Sequence, residues 1–525
     1  MPTDVPRRTP STRHHATARL VALASATLLL AACAAPGRED SERAVRELVA
    51  ARMPALDPPL GRALANDAAA IEARLRELRA QPLTPRTAVE VALLRSPQVG
   101  TTLAGLGLSR ADLLAAVRTS NPTIGGARAG ADGAYRTTVD FALGLGDLLL
   151  LPARRRLGAA EFALAQRRVA QEMLVLAADV EIAWYTAVGA RQVATMRDAV
   201  AQAAGLSAEL AQRFFDAGNI NPLQLAVEKA AASQFRVGAL NAAFDARRER
   251  LALLRTIGVG SDPDWQLADR LPKPQLPTAA VAELVTLAAG RRADLEAARR
   301  EIALLEDALG VARRWRLLGE LRLGGEREKE PSGEVLEGPT LELALPIFDQ
   351  GQPGIARAEA RLAASRAALR ELELAIDFDV RTSVDRLETA AAAIDQYERL
   401  LVPAQQAIVE QQQRFQNFML IGQFELLLAK QQEYDVYQGY LEAVRDFWIA
   451  RTDLERAVGG ALPGGSPERP AGPAGEPAPD AGISPQDLPG MPAEPDIYRL
   501  PPAPQPGSDA ARKEAPSKEA EEPQP

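Results

Sequence analysis

Apolar and polar side chains alternate in two parts of the chain, residues 121–150 and residues 314–346. In the first part, apolar side chains occupy every second position from Val139 to Leu145, with small or polar residues between them. A period of two places successive side chains on opposite faces of a strand. The second part repeats the pattern, with apolar side chains at Trp315, Leu317, Leu321, Leu323, Leu341, Leu343 and Leu345. We therefore predict two pairs of strands, each with one apolar face.

Helical periodicity fills most of the remaining chain between residues 86 and 460. Thr87 and Glu90 have the spacing of a capping box, which predicts a helix from there to about Arg118. Residues 154–216 predict a helix roughly 95 Å long at 1.5 Å per residue. Helices of this length are typical of a projecting coiled barrel or a rod, and no compact domain needs them.

A returning helix follows each long helix. Asn221 and Pro222 suit the N-cap and the first position of a helix that ends at Gly258. Residues 350–417 and 423–458 predict the second pair. Within the first of these, Pro403 has no backbone N–H to donate and predicts a kink.

The two halves of this region match each other in sequence. Arg213-Phe214 and Arg414-Phe415 are 201 residues apart, and at that offset Gly258 meets Gly459 without a gap. A constant register of this kind favours an internal duplication. We predict two repeats, residues 86–260 and 261–460, each with a helix, a strand pair, a long helix, a turn and a returning helix.

The predicted strands suit a membrane barrel. A bilayer leaves no backbone polar group unpaired, so strands cross it only as closed barrels, with apolar residues towards lipid and polar residues towards the lumen. Four strands are too few to enclose a lumen, so closure requires several copies, and three copies would supply about twelve strands. Arg327–Glu330 and Ser332–Glu337 are expected as loops outside the membrane. The alternative is a soluble sheet whose apolar face packs on helices.

The N-terminus has the features of an export signal. Four arginines precede the apolar run Leu20–Leu30, which is followed by Ala31-Ala32-Cys33. The run is too short for an ordinary transmembrane helix and is typical of a secretory signal peptide, predicted at residues 1–32. Leu30–Cys33 resembles the bacterial lipobox, so we expect Cys33 to become the first residue and to carry acyl chains such as palmitate. An ordinary signal peptide with an incidental cysteine is the alternative.

Charge and histidine content exclude several classes of function. Removal of residues 1–32 leaves 57 basic and 68 acidic residues, a formal net charge of −11, which argues against nucleic-acid binding. It also removes His14 and His15, which are the only histidines, and Cys33 is the only cysteine. The mature chain therefore has no histidine and no free thiol for acid–base chemistry, nucleophilic attack or the usual transition-metal sites, and we predict no enzyme, metal or cofactor.

Two segments flank the repeats. Residues 33–85 form a polar lead from the lipid anchor, punctuated by prolines. Residues 461–525 are rich in Pro, Ala, Gly and Glu without periodicity. Such a composition cannot bury enough apolar surface to become ordered, so we predict a disordered tail.

The stretch 84–460 resembles the TolC family of outer-membrane efflux proteins, in its lipoprotein branch. Leu83–Pro97 looks like the entry helix of that family. Arg213–Gly218 resembles its helical tip, and Leu345–Gly351 resembles its crossing from strand to helix. Leu150–Arg156 looks more like the heavy-metal-efflux branch.

The resemblance implies a mainly helical fold with membrane strands. It implies a homotrimer whose twelve-strand β-barrel lies in the outer membrane and continues as a long periplasmic α-helical barrel. The helical tips would dock on a periplasmic adaptor and an inner-membrane pump. The implied function is a passive exit duct for small molecules or metal ions, in a tripartite efflux or type I secretion system.

The resemblance also supplies candidate aperture residues. In the family, an acidic residue lies six positions after the tip glycine; here Gln224 stands six positions after Gly218, and only the second half has an acidic residue, Glu425. Asp216 and Glu228 lie close to the first tip and are further candidates. A solvated helix charge is the alternative for Glu425.

Other side chains have structural interpretations. Arg213 and Arg414 are expected to pair with carboxylates across the tips and hold the channel shut. Trp184, Tyr185, Phe447 and Trp448 are expected to pack between helices, and Trp315 suits a membrane interface.

Two other classes of protein compete with the channel. The first is a periplasmic coiled coil without a pore, acting as a structural or adaptor lipoprotein. The second is a periplasmic enzyme that uses paired carboxylates, although no such cluster stands out.

Overall fold

The computed structural model describes residues 37–463, apart from residues 66, 132, 262–264, 278, 317–320 and 419. The predicted signal peptide, Cys33 and all but the first three residues of the predicted tail lie outside this range. The described chain is mainly helical and contains one small sheet.

Helices precede, separate and follow two strand pairs. The first group is α1 (Arg38–Ala50), a 3₁₀ turn (Pro54–Leu56), α2 (Asp57–Ala65), α3 (Ala68–Arg79), α4 (Pro85–Arg95) and α5 (Pro97–Ala116). The strands are β1 (Thr123–Ala131), β2 (Ala134–Gly144), β3 (Leu321–Lys329) and β4 (Val335–Leu343). The helices between the strand pairs are α6 (Leu145–Asp216), α7 (Pro222–Thr256), α8 (Val281–Arg291) and α9 (Ala293–Arg314). The last group is α10 (Gln352–Gln396), a π-helical segment (Tyr397–Leu401), α11 (Val402–Asn417) and α12 (Gln423–Val458).

The four strands form a single antiparallel sheet in the order β1-β2-β3-β4. This confirms the two strand pairs and corrects their ends. Leu145 begins α6, Trp315 is the C-cap of α9, and Leu345 lies beyond β4, so none of the three extends a strand. The predicted loop Arg327–Glu330 is mostly strand, because the β3–β4 ladder continues to the pair Lys329 and Val335. The same ladder places the last three residues of the predicted loop Ser332–Glu337 in β4.

The longest helix, α6, contains 72 residues and begins nine residues before the predicted start. At 1.5 Å per residue it is about 108 Å long. Its composition and length would allow it to span a membrane, but 61% of its most apolar stretch is buried. We therefore describe α6 as a core helix, which packs along α7 and crosses α12, α5 and α9.

The irregularity predicted at Pro403 takes the form of the π-helical segment just before it. Proline cannot donate a hydrogen bond to the preceding turn, and π-helical turns accommodate such disruptions. The segment places Tyr397 against the backbone of Gly439 in α12, where a side chain at residue 439 would collide with the ring. It also places Glu398 to accept a hydrogen bond from the Tyr440 hydroxyl (2.6 Å).

The entry helix differs from the prediction at both ends. Thr84 is the N-cap, and it forms the capping box with Thr87 rather than Thr87 with Glu90. Glu90 is buried and accepts hydrogen bonds from Arg74 of α3 (2.8 and 3.1 Å). The helix also stops at Ser96, because the residue before a proline disfavours helical backbone angles.

The lead contains three helices that its proline-punctuated pattern did not predict. Helix α1 packs on α6, and Arg52, which follows α1, fixes the lead to α8 and α9. Its guanidinium donates to the Arg291 carbonyl (2.8 Å) and to Glu296 (3.3 Å). Glu296 also receives hydrogen bonds from Arg167 (3.1 Å) and Arg300 (3.0 Å). Burial raises the pKa of Glu296, but Arg167 and Arg300 outweigh burial and hold that pKa below its ordinary value.

The main hydrophobic core lies where α6 meets α12, α4 and α1. Trp184 is buried, and its indole N–H donates to the Leu83 carbonyl (2.8 Å). Tyr185 stacks on Trp448 at a ring distance of 5.4 Å, and Phe447 meets Trp448 edge-on. The prediction that these four aromatic residues pack between helices is confirmed.

Candidate functional site

One face of the sheet exposes apolar side chains. The register places them in rows that cross the strands, two residues apart along each strand. The row nearest the long helices contains Leu321 and Leu343, and the next contains Leu143, Leu323 and Leu341. The third row contains Ile124, Phe141, Gly325 and Pro339. Phe141 is 48% exposed and Ile124 is 78% exposed. An exposed apolar face of this kind requires lipid or a partner to cover it. We call this the apolar face.

The opposite face carries small and charged side chains, and we call it the polar face. Arg136 of β2 forms ion pairs with Glu328 (2.5 Å) and Glu330 (2.9 Å) at the end of β3. Arg322 lies 3.8 Å from Glu342 of β4. The polar face therefore suits contact with water, as the alternation in the sequence predicted.

Both outer strands of the sheet, β1 and β4, have a free edge within one chain. Each such edge presents backbone N–H and C=O groups that another strand could pair. Both strand pairs turn at the end of the sheet away from the long helices, because β2 passes directly into α6 and β4 passes through a short connection into α10. The sheet therefore has a helix-proximal end and a turn end.

The first hairpin tip joins α6 to α7. The N–H of Gly218 donates to the Phe215 carbonyl (2.9 Å), and Gly218 adopts a φ of 78°, a conformation that favours glycine. Asn221 then caps α7: its side chain accepts from the Gln224 N–H (2.9 Å), and the Gln224 side chain accepts from the Asn221 N–H (3.1 Å). The turn and cap were both expected from the sequence.

The second tip joins α11 to α12 without the same cap. The N–H of Leu420 donates to the Phe415 carbonyl (2.9 Å). Gly422 is the N-cap, and Glu425 lies in the first turn of α12, where a carboxylate is favourable near the helix N-terminus. Met419, which stands where the first tip has Gly218, lies outside the described residues.

The structure separates the candidate aperture residues into two groups. Glu425 and Asp216 are exposed, one at each tip, and Asp216 accepts a hydrogen bond from Gln212 (2.7 Å). Glu228 is buried between α6 and α7, where it accepts a hydrogen bond from Ser207 (3.1 Å). It differs from the prediction because it lies on the face of α7 that packs against α6. Gln224 is exposed, but its amide oxygen caps the backbone.

The arginines near the tips are both exposed. Arg414 forms an ion pair with Glu410, one turn earlier on its own helix, rather than across the tips. The guanidinium of Arg213 forms no ion pair with any described residue of this chain. Pairing between tips of different copies stays a prediction.

Apolar residues at the tips are a feature that our sequence reasoning missed. Phe418 is 74% exposed, Leu420 is 68% exposed and Leu223 is 72% exposed. The available signal was the run Phe415–Ile421, which is rich in apolar residues around a turn, where polar residues usually predominate. Exposed apolar residues grouped at a turn indicate a surface that another protein can cover.

The two hairpins lie side by side. Arg197 of α6 donates to Gln438 (2.6 Å) and to Asp435 (2.9 Å) of α12. Closer to the tips, Leu427 packs against a small cluster that contains Val200 and Phe235. Both tips therefore point towards the same end of the molecule.

Several solved structures with the same architecture are described as transmembrane channels or outer-membrane proteins. CusC, described in connection with transmembrane channel formation, aligns over 72% of this chain and 92% of its own, with a TM-score of 0.61 and 15% identity. VceC of Vibrio cholerae aligns over 72% of this chain and 96% of its own, with a TM-score of 0.60 and 16% identity. The outer-membrane channel CmeC of Campylobacter jejuni aligns over 73% and 87%, with a TM-score of 0.59 and 14% identity.

No family model matches the sequence, and no curated protein sequence matches it. At these identities the similarity establishes the fold. It confirms the resemblance to the TolC family at the level of the fold.

Proposed function

We propose that this chain is the outer-membrane channel component of an efflux or type I secretion system. The observation that carries the proposal is an open sheet with one exposed apolar face, continuous with helices long enough to form a tunnel. A lone sheet of this form leaves its apolar face and both edges uncovered, whereas a closed barrel in a bilayer covers all of them.

Three copies of the chain would close the barrel. In the order β1-β2-β3-β4 adjacent strands run in opposite directions, so β4 of one copy meets β1 of the next in an antiparallel pair. Three copies supply about twelve strands, which leave an open lumen. The strands contain 9 to 11 residues, the length that tilted membrane strands need.

Apolar residues on the helices support the same trimer. Val237, Leu240 and Phe244 of α7 are more than half exposed, and so are Leu374 and Phe378 of α10. Single exposed apolar residues are ordinary, but rows of them along two long helices favour burial between copies. Each copy would then contribute two helical hairpins to a closed periplasmic tunnel.

The sequence supports a location at the outer membrane. Cleavage before Cys33 and acylation of that residue would anchor the chain to the membrane, and the barrel would span it. The helices would extend into the periplasm, with the tips furthest from the outer membrane. Duplication of the two halves accounts for the repeated order of their elements.

The tips are the proposed site of partner binding and gating. The exposed apolar residues there suit a periplasmic adaptor, which would link the channel to an inner-membrane pump. Glu425 from three copies would form a ring of carboxylates at the narrow end, with Asp216 nearby. We propose a passive duct, without catalysis or cofactor, for small molecules or metal ions.

Single-channel recording from the purified full-length protein in a planar lipid bilayer tests the proposal. We expect stepwise conductance from a trimeric protein, and we expect Glu425→Gln to reduce the preference for cations. A protein that inserts no channels, and that remains monomeric in detergent, would contradict the proposal and favour a structural or adaptor lipoprotein.

A further inference from the structure

The apolar face changes character towards the turn end of the sheet. Beyond the row of Phe141 comes a row that contains Gly126, Val139, Arg327 and Glu337. The next row contains Arg128, Thr137, Lys329 and Val335. Two residues of a strand extend about 6.7 Å, so the cations of this last row lie about 13 Å along the strands from the row of Phe141.

Two of these cations lack an acidic partner within the described chain. Arg327 forms an ion pair with Glu337 (3.1 Å) across β3 and β4. Neither Arg128 nor Lys329 forms an ion pair with any residue that the structure describes, and both are exposed. Arg128 instead lies over the ring of Tyr135, 4.3 Å from its centroid. We call Arg128, Lys329 and Tyr135 the cationic rim.

The polar face gives a useful contrast at the same height. There Arg136 is held by Glu328 and Glu330, so its charge is balanced within the sheet. A cation that faces the lumen is therefore paired, whereas two cations on the membrane side are unpaired. Burying either in hydrocarbon would be costly, so the cationic rim must meet a polar and preferably anionic layer.

We propose that the cationic rim binds the phosphate groups of phosphorylated glycolipid headgroups in the outer leaflet of the membrane. The inference rests on the proposed function, because the barrel places the turn end at the outer surface, away from the periplasmic helices. The rim then lies at headgroup depth, above the apolar rows.

The chemistry of the rim fits phosphate. The planar guanidinium of Arg128 can donate two parallel hydrogen bonds to a phosphate, and the Lys329 ammonium acts as a point charge. The two side chains start from strands separated by β2, about 10 Å apart. They can therefore contact two phosphates of one headgroup or of neighbouring headgroups. Tyr135 suits the interface because its ring is apolar and its hydroxyl is polar.

Native mass spectrometry of the full-length protein in mild detergent tests this binding. The probes are lipid A with two phosphates and the same lipid with both phosphates removed. Each cation near a charged membrane strengthens the binding constant by about fivefold, so with two cations we expect the wild type to prefer the phosphorylated lipid by about 25-fold. An excess of inorganic phosphate should not remove that preference, since the acyl chains hold the lipid at the rim.

Variants distinguish lipid binding at the cationic rim from a general effect of positive charge on the protein. Arg128→Gln with Lys329→Gln should bind both lipids equally. Arg136→Gln with Arg322→Gln removes the same charge from the polar face and should keep the preference. The conservative pair Arg128→Lys with Lys329→Arg should also keep it, which excludes a folding defect as the cause of a loss.

Equal binding of the two lipids by the wild type would overturn the inference, and so would an equal loss in the polar-face variant. Channel recording on the same preparations keeps the two proposals apart. Channels without a lipid preference overturn the lipid inference alone, whereas a protein that forms no channels contradicts the proposed function itself.

Discussion

Placing an arginine on the apolar face should prevent stable insertion of the sheet into a membrane. Phe141 lies in the middle of the apolar rows, on a central strand, with Ile124 and Gly325 beside it. In a bilayer, Phe141→Arg would replace an apolar side chain that faces lipid by a charge that faces lipid. Such a charge costs about 2–4 kcal/mol near the bilayer midplane.

The neighbouring residue supplies a matched control. Ala142 lies at about the same depth but on the polar face, between Thr123 and Gly324, which are small enough to leave room for an arginine in a wet lumen. We therefore expect Ala142→Arg to cost much less than Phe141→Arg. Three copies in one trimer would raise the cost of Phe141→Arg to about 6–12 kcal/mol, if the costs add.

Folding into lipid vesicles, followed as a function of urea, measures the difference. We expect wild type and Ala142→Arg to insert and to become protected from protease, and we expect Phe141→Arg to remain accessible. Equal insertion of the two arginine variants would refute the assignment of faces. It would favour the alternative of a soluble sheet covered by protein.

Three further predictions concern stability and binding. Gly258→Ala should lower the free energy of unfolding by about 1–3 kcal/mol, because residue 258 has a φ of 76° and an added Cβ would lie 2.5 Å from Ser96 Cα. Gly238→Ala, where an added Cβ meets nothing within 4 Å, is the control and should melt like the wild type in thermal unfolding. The pKa of Glu296 is lower in the folded chain than its unfolded value near 4.5, so the ionised carboxylate stabilises the fold above that pH, and this stabilisation is lost as the pH falls through the folded pKa. The melting temperature of Glu296→Gln should therefore fall less steeply below about pH 5 than that of the wild type. Phe418→Ser with Leu420→Ser should weaken capture of the adaptor at least tenfold in a pull-down without changing conductance, and unchanged capture would contradict docking at the second tip.

Periodicity predicted the parts of the fold that depend on one segment at a time. The alternation from Val139 to Leu143 gave the correct strand because its apolar side chains all lie on one face. Asn221 was correctly assigned as a cap because capping requires only the next three residues. Pro403 marked the site of an irregularity for the same local reason, the missing N–H.

Features that depend on distant segments were missed. The sequence around Glu90 does not indicate that Arg74 of another helix will bind it, so the capping box was assigned one turn too late. The helices of the lead are stabilised by packing on α6 and by the contacts of Arg52 with α8 and α9, which the pattern of the lead alone does not contain. Glu228 was placed near an aperture by its position in the sequence, whereas packing of α7 on α6 turns it towards Ser207.

Electron microscopy of the full-length protein extracted in detergent tests the central claim most directly. A tunnel built from α6 and its partners should be roughly 100 Å long, given 1.5 Å per residue. The account predicts a particle with three-fold symmetry, a short barrel at one end and a continuous lumen through the helices. A monomeric particle, or a solid rod without a lumen, would contradict it.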